Sequence, residues 1–291
     1  MTAFESKSSE PRAALAARDD WRLGPVDDVA SQLADGHDVP EALLQALAQA
    51  WAETAMEAHA AIGAYARFTL QLMSLGAPPR LINGAAQAMQ DEVAHAQACF
   101  SLARRYAGRD LGPGPLQGPP NLRETDLTST VLSAVQRGCI QEAVSALSAR
   151  EALEHCQEAA AREVLLSRQE IKAHQAQLAW HFVAWALRST RQSGGRELAD
   201  HVRVTFVTAL EGKSGVHSPS ERDRLLLRHG VLSRAQSLAL RQRALRDVVL
   251  PSMEALLSPV TAPRVTAPRV TASQLTAFRH ASGRARSQHD H

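Results

Sequence analysis

One lysine in the middle of a predicted helix is the first residue whose chemistry needs an explanation. The chain has three lysines (Lys7, Lys172 and Lys213) and otherwise uses arginine for positive charge. Lys172 falls within a long helical pattern, where a buried ammonium must be paired or must lose its proton. Lys172 is therefore a candidate for a structural ion pair, and alternatively for a base or a Schiff-base amine.

A carboxylate and an imidazole one helical turn apart form the second candidate group. Glu92 and His95 are three residues apart, so they project from the same face of a helix. Such a pair is often a solvated helix face, but Ala, Met, Cys and Phe surround this one, which favours an inward orientation. Glu142, in a later helical segment, is a further candidate. Carboxylates and neutral imidazoles suit a divalent metal or acid–base chemistry.

Long helices must position these residues. Pro40 begins a helical pattern of over 30 residues, and the Gly-Ala-Pro-Pro run at 76–79 stops it. A second helix is predicted over about 79–106. Residues 108–121 are too rich in Gly and Pro for regular structure, and we interpret them as a crossover.

Two further long helices are predicted at about 124–155 and 158–192. This connectivity indicates an all-α four-helix bundle with one long crossover. Shorter helices follow at about 196–211, 220–229 and 234–257.

Composition sets the domain organisation and excludes several function classes. Only 4% of residues are aromatic, and the net charge of +2 gives no reason to expect nucleic acid as a partner. No apolar run suggests a membrane span, the N-terminus lacks a signal-peptide core, and three scattered cysteines suggest reduced thiols, so we expect a cytoplasmic protein. Residues 1–37 are predicted to be polar and partly disordered, 38–258 to form the helical domain, and 259–291, with its repeated VTAPR, to be a disordered tail.

Several segments resemble the bacterial ferritin-like, di-iron carboxylate family of helical bundles. They occur in the family's order, cover about residues 40–258, and read AHAAIGAYARFTLQLMSLGAPPRL, DEVAHAQACFSLARRYAG, GCIQEAVSALSAREAL, QLAWHFVAWAL and HGVLSRAQSLALRQRALRDVVLPSMEALL. In that family two helices each supply a Glu-x-x-His motif and two each supply a Glu. The resemblance implies the same bundle fold and a site for two metal ions.

Carried over residue by residue, the implied metal site is degenerate. The positions that match the expected ligands are Glu92, His95 and Glu142. The positions that depart from them are Ala58 and Lys172, in place of glutamates, and Gln175, in place of a histidine. A one-residue bulge in either affected helix would instead bring in Glu57 or His174, since π-bulges are common at functional sites.

The surviving residues have two self-consistent states. In one, no metal is bound, and protonated Lys172 and His95 balance Glu92 and Glu142. In the other, Glu92, His95 and Glu142 bind a single iron or other divalent metal. We favour the metal-free state, because an ammonium repels a dication; a complete di-iron centre is not expected.

Two classes of function fit these states, and the sequence leaves open whether the protein is an enzyme. The first is a repurposed, metal-free ferritin-like scaffold that binds a small molecule or a protein. The alternative is an oxidoreductase with a mononuclear or rebuilt di-iron site, or a metal-free tailoring enzyme. Its candidate catalytic residues are Lys172, Glu142 and His95, with Glu92 beside them. The expected partner is an unidentified small molecule or protein, or a second copy in a homodimer, with neither nucleic acid nor membrane.

Overall fold

The computed structural model describes residues 13–21, 40–116, 125–190, 195–210 and 218–258. These residues are mostly helical, which confirms the all-α prediction at the level of class. Within the described ranges, no helix combines the length and the apolar character that crossing a bilayer requires. The tail at 259–291 and most of residues 1–37 lie outside the described residues.

The first two long helices have the bounds that proline and glycine impose on them. Helix α1 spans Glu41–Ser74 and helix α2 spans Pro79–Ala107, as predicted. Pro40 immediately precedes α1, with a ψ of 137°. Its missing N–H costs nothing there, because the first N–H groups of a helix have no partner within the helix. Gly108 ends α2 in the left-handed region at φ 62°, where a side chain would be strained.

A small antiparallel sheet contradicts the expectation of irregular structure in the crossover. Strand β1 (Ala13–Ala16) pairs with strand β2 (Gly112–Leu116), in a register that places Ala13 opposite Leu116. The prediction for 108–121 was wrong over β2. Both strands of a two-stranded sheet are edge strands, and edge strands tolerate proline. Gly114 lets the two strands approach closely, since a Cβ there would lie 3.1 Å from the Ala14 carbonyl oxygen.

The third long helix is α-helical only in part. Helix α3 (Leu127–Ala134) runs directly into a π-helical segment (Val135–Glu142, here the first π segment) and then into helix α4 (Ala143–His155). Asp126 caps α3, and its carboxylate accepts a hydrogen bond of 2.7 Å from the Ser129 N–H. Helix α5 follows over Ala159–Ser189.

Shorter helices complete the described chain at positions close to those predicted. They are α6 (Gly195–Leu210), α7 (Glu221–Arg228), α8 (Arg234–Ala244), a second π segment (Leu245–Val249) and α9 (Leu250–Leu257).

The chain divides into two compact units. The first draws its described residues from Met1–Thr125, Ala149–Arg168 and Pro219–Ser233. The second draws its described residues from Asp126–Ser148, Gln169–Ser218 and Arg234–His291. Two of the boundaries between the units fall inside helices, one in α4 and one in α5. The single helical domain at 38–258, and the four-helix bundle with one crossover, stay predictions.

Each unit has its own buried apolar residues. In the first unit, Trp51, Phe100 and Leu165 belong to a core to which α1, α2, α4 and α5 all contribute. In the second unit, Trp180 of α5 stacks on Phe206 of α6 with ring centroids 5.3 Å apart and planes 7° apart. Both rings are buried, so their stacking adds apolar burial to the contact between α5 and α6.

Candidate functional site

A buried ion pair in the second unit joins α5 to the end of the first π segment. The Lys172 ammonium lies 3.1 Å from Glu142 Oε2 and donates a hydrogen bond of 3.1 Å to Gln175 Oε1. Gln175 follows Lys172 by three residues on α5, so the two side chains share a face. The exposed fractions are 7% for Lys172 and 2% for Gln175, and 14% for the Glu142 side chain, so the group is largely shielded from water.

The arrangement satisfies the requirement that a buried charge be paired. The ammonium donates to one carboxylate and one amide oxygen, and both acceptors come from residues singled out by the sequence. Pairs of this kind contribute little net stability relative to apolar residues, because both ions lose water. Removing only one partner is strongly unfavourable, because the other charge stays buried.

The π segment determines where Glu142 lies. An i→i+5 helix is wider than an α-helix and changes the direction of the side chains that follow it. Gly138, in the middle of this segment, lies against Ala179 of α5, and a Cβ at Gly138 would be 2.1 Å from the Ala179 Cβ. Because Gly138 has no side chain, the first π segment and α5 can approach closely. The Lys172–Glu142 contact joins the same two elements.

The neighbouring Cys139 has no evident chemistry in this arrangement. It is fully buried next to Gly138, and burial raises the pKa of its thiol well above the ordinary value. A neutral, inaccessible thiol is a small apolar side chain and a poor nucleophile.

In the first unit, Glu92 and His95 lie on one buried face of α2. Their exposed fractions are 0% and 3%. The sulfur of Cys99, four residues after His95, lies 3.7 Å from each ring nitrogen of that histidine. The inward orientation predicted for the Glu-x-x-His pair is therefore what the structure shows.

The orientations of the departing positions also agree with the register inferred from the sequence. Ala58 and Gln175 are buried, whereas their neighbours Glu57 and His174 are exposed. Helices α1 and α5 are α-helical throughout, and the π segments lie elsewhere. The bulge that would turn Glu57 or His174 inward is absent from these two helices.

The positions of the predicted ligand set belong to both units. Ala58, Glu92 and His95 lie in the first unit, and Glu142, Lys172 and Gln175 lie in the second. Across the described residues, no three His, Cys, Asp or Glu side chains are grouped closely enough to hold a metal ion. In the second unit, the position facing Glu142 is taken by the Lys172 ammonium.

A second polar cluster in the first unit was not foreseen from the sequence. The Tyr106 hydroxyl lies 3.1 Å from His229 Nδ1, and Arg105 pairs with Glu158 at 3.0 Å. Glu158 also caps α5 by accepting from the Ala161 N–H. Burial raises the pKa of Tyr106 and lowers that of His229.

The cluster positions the start of α5 and links it to the C-terminal end of α7. The Arg228 carbonyl accepts hydrogen bonds from the backbone N–H groups of Gln157 and Glu158, at 2.7 and 3.3 Å. These residues are distant in sequence and follow no spacing rule. The sequence signal closest to this contact is a glycine, Gly230, which indicates a turn after α7. In the structure its φ is 79°.

Comparison of the chain with protein-family models, with curated proteins and with solved structures finds no match. The resemblance to ferritin-like bundles is therefore a prediction that rests on the segments quoted above.

Proposed function

We propose that this protein is a ferritin-like helical scaffold in which a covalently attached cation, Lys172, takes the place of a metal beside Glu142, and which acts by binding a small molecule or a protein. The observation that carries the proposal is the buried contact of 3.1 Å between the Lys172 ammonium and Glu142 Oε2. The four-helix bundle with one crossover is part of the same proposal.

Electrostatics supports the metal-free reading of this contact. The ammonium supplies the positive charge that a carboxylate in a buried place requires. A divalent ion bound to the same carboxylate would lie a few ångströms from the ammonium, and their repulsion would oppose binding. Gln175 reinforces this state, because its amide oxygen accepts from the ammonium at 3.1 Å.

The first test is the metal content of the protein. The chain is purified without chelators, loaded anaerobically with Fe(II), desalted and analysed for elements. We expect no stoichiometric metal. Two metals per chain would overturn the proposal, and one metal that is lost in Glu92→Ala or His95→Ala would favour the mononuclear oxidase.

A second test restores the ligands that the resemblance implies within the second unit. The double substitution Lys172→Glu and Gln175→His creates a Glu-x-x-His motif on α5 opposite Glu142. This variant is expected to bind about one Co(II) or Fe(II) per chain and to gain thermal stability on metal addition. Adding Glu142→Gln to the same variant provides the matched control and should abolish the gain. Failure of the folded double variant to bind metal would refute the proposed register.

The alternative function is catalysis by Lys172 with Glu142 as its proton partner. The observation that favours it is that the same contact would let the carboxylate accept the ammonium proton and leave a nucleophilic amine. Borohydride trapping with an aldehyde, followed by peptide mapping, tests it simply, because the chain has three lysines. Selective labelling of Lys172 in the folded protein would favour catalysis over the scaffold.

A further inference from the structure

Helix α7 is lightly held in the first unit, and its polar contacts with that unit are concentrated at its C-terminal end. No residue of α7 is buried, although Leu225, Leu226 and Leu227 pack partly buried against the core. A capping box formed by Ser220 and Asp223 satisfies the start of the helix without help from other elements. A helix that is complete in itself and only lightly buried can separate from its neighbours as one piece.

The end of α7 and the turn after it, residues 221–230, lie over the junction between α4 and α5, and we call these residues the latch. The Arg228 carbonyl accepts two backbone hydrogen bonds from that junction, at 2.7 and 3.3 Å. Gly230 is buried against α1 and α5, since a Cβ there would lie 2.8 Å from Leu165 Cδ1 and 3.3 Å from Trp51 Cζ2. Cys156 immediately precedes the two donors of the junction, and 3% of it is exposed. Separation of the latch would therefore bring water to this thiol.

A neutral imidazole closes the latch. Nδ1 of His229 lies 3.1 Å from the Tyr106 hydroxyl, and the two rings meet edge to face with centroids 5.7 Å apart. Burial raises the pKa of Tyr106, so the phenol keeps its proton and can donate a hydrogen bond to an unprotonated Nδ1. Burial also lowers the pKa of His229, so the closed latch favours the neutral ring.

The charged groups that face His229 do not compensate for a proton on it. Besides burial, Arg105 of α2 and Arg228 of α7 lower its pKa, whereas Glu158, which caps α5, raises it. Glu158 is already paired with Arg105 at 3.0 Å. Burial raises the pKa of the nearby Cys156, so that thiol supplies no negative charge. A protonated imidazole in the closed latch would therefore lie near two guanidinium groups and one carboxylate that is already engaged.

We propose that residues 221–230 form a pH-sensitive latch, which is closed while His229 is neutral and opens when His229 gains a proton, exposing the α4–α5 junction and the thiol of Cys156. Opening gives the imidazolium access to water and removes it from Arg105. The closed state is therefore favoured above about pH 6.5, the ordinary pKa of histidine, and is lost as the pH falls through the lower value in the closed latch. The inference does not depend on Lys172, which belongs to the second unit.

Labelling of the full chain with N-ethylmaleimide at pH 7.5 and 5.5 tests the proposal through its three cysteines. The labelling rate of the denatured chain divided by that of the folded chain, at the same pH, gives the protection of each cysteine and removes the effect of pH on the thiol itself. Cys99, in the core of the same unit, and Cys139, in the second unit, are both 0% exposed and report on wider unfolding. Peptide mapping by mass spectrometry separates the three thiols.

His229→Gln is the informative variant, because glutamine gains no proton and its amide oxygen can still accept from Tyr106. His155→Gln is the matched control. His155 is a half-buried histidine next to Cys156, but its Nδ1 lies 3.0 Å from the Glu151 carbonyl oxygen. Circular dichroism establishes that each variant is folded.

We expect the protection of Cys156 to fall severalfold between pH 7.5 and 5.5, and by no more than about tenfold, the limit for one histidine with an ordinary pKa of about 6.5. Cys99 and Cys139 should keep their protection. The fall should persist in His155→Gln and disappear in His229→Gln. Equal losses at all three cysteines would show global unfolding and overturn the proposal. An unchanged Cys156, or a fall that persisted in His229→Gln, would overturn it as well.

Hydrogen exchange of the parent protein gives an answer that needs no variant. After correction for the intrinsic effect of pH on exchange, the amides of α7 should exchange faster at pH 5.5 than at pH 7.5, and those of α2 should not. Equal changes in the two helices, or no change in α7, would contradict a local opening.

Discussion

Replacing Lys172 by Met tests how much the stability of the protein depends on keeping both partners of the buried ion pair in place. Methionine has a similar length and no charge, so it fills much of the same space. The substitution leaves Glu142 facing an apolar group in a largely buried place, with 14% of its side chain exposed. We expect a substantial loss of stability, because this largely buried carboxylate loses the ammonium that pairs with it.

The magnitude follows from the distance and the burial. At 3.1 Å the direct attraction is about 5 kcal/mol at an effective dielectric constant of about 20. Desolvation of two ions offsets most of that attraction, so the intact pair is close to neutral overall. Removing one partner of a buried pair costs about 3–5 kcal/mol, and the partial exposure of Glu142 places this case near 3. The corresponding fall in melting temperature is about 6–9 °C.

Chemical denaturation followed by circular dichroism measures the effect, and a surface pair in the same unit provides the control. Arg203 lies 3.1 Å from Asp200, the same distance, but their side chains are 52% and 61% exposed. Arg203→Met should therefore cost less than about 1 kcal/mol. A double-mutant cycle with Glu142→Gln should give a coupling energy of about 2 kcal/mol or more.

Two outcomes would refute this reasoning. If Lys172→Met cost no more than Arg203→Met, burial of the pair would have no energetic meaning. If the effects of Lys172→Met and Glu142→Gln simply added, the two residues would not be interacting in solution.

Two further predictions follow from the packing at Gly138 and from two half-buried histidines. Gly138→Ala should destabilise the protein by about 1–3 kcal/mol in a denaturant titration, because the new Cβ would lie 2.1 Å from that of Ala179. Adding Ala179→Gly should recover much of the lost stability. If Gly138→Ala caused no loss, the π segment and α5 would be farther apart than the structure shows. Burial lowers the pKa values of His59 and His229 in the folded protein, so the unfolded chain binds more protons as the pH falls. The stability that these two histidines contribute is therefore present above about pH 6.5, the ordinary pKa of histidine. It is lost as the pH falls from there through their lower pKa values in the folded protein. Melting temperatures at pH 7.5 and 5.5 should differ less in His59→Gln/His229→Gln than in the parent or in the exposed control His174→Gln, and an unchanged difference would contradict the assignment.

The helices were predictable because local residues determine their ends. Pro40, the Gly76–Pro79 run and Gly108 restrict the backbone whatever surrounds them, and the observed bounds of α1 and α2 follow them closely. The inward orientation of Glu92, His95, Lys172 and Gln175 was predictable for a similar reason, since a 3.6-residue period fixes which residues share a face.

The features that escaped prediction depend on contacts between distant residues. The first π segment has no distinctive composition, and its register is stabilised by the approach of Gly138 to Ala179. The β1–β2 pair was missed because Gly and Pro are poor strand formers, although two edge strands tolerate them. The Tyr106–His229 contact joins residues 123 positions apart, which no local pattern reveals.

The burial of Lys172 gives the protein an internal reporter for amine labelling. It is the single lysine in the described part of the chain, and 7% of it is exposed. An acylating reagent can reach its amine only when the surrounding helices separate, so the labelling rate of one peptide measures how often they open. A ligand that bound and stabilised the closed state would slow that rate, and mass spectrometry could screen for such ligands without knowledge of any reaction.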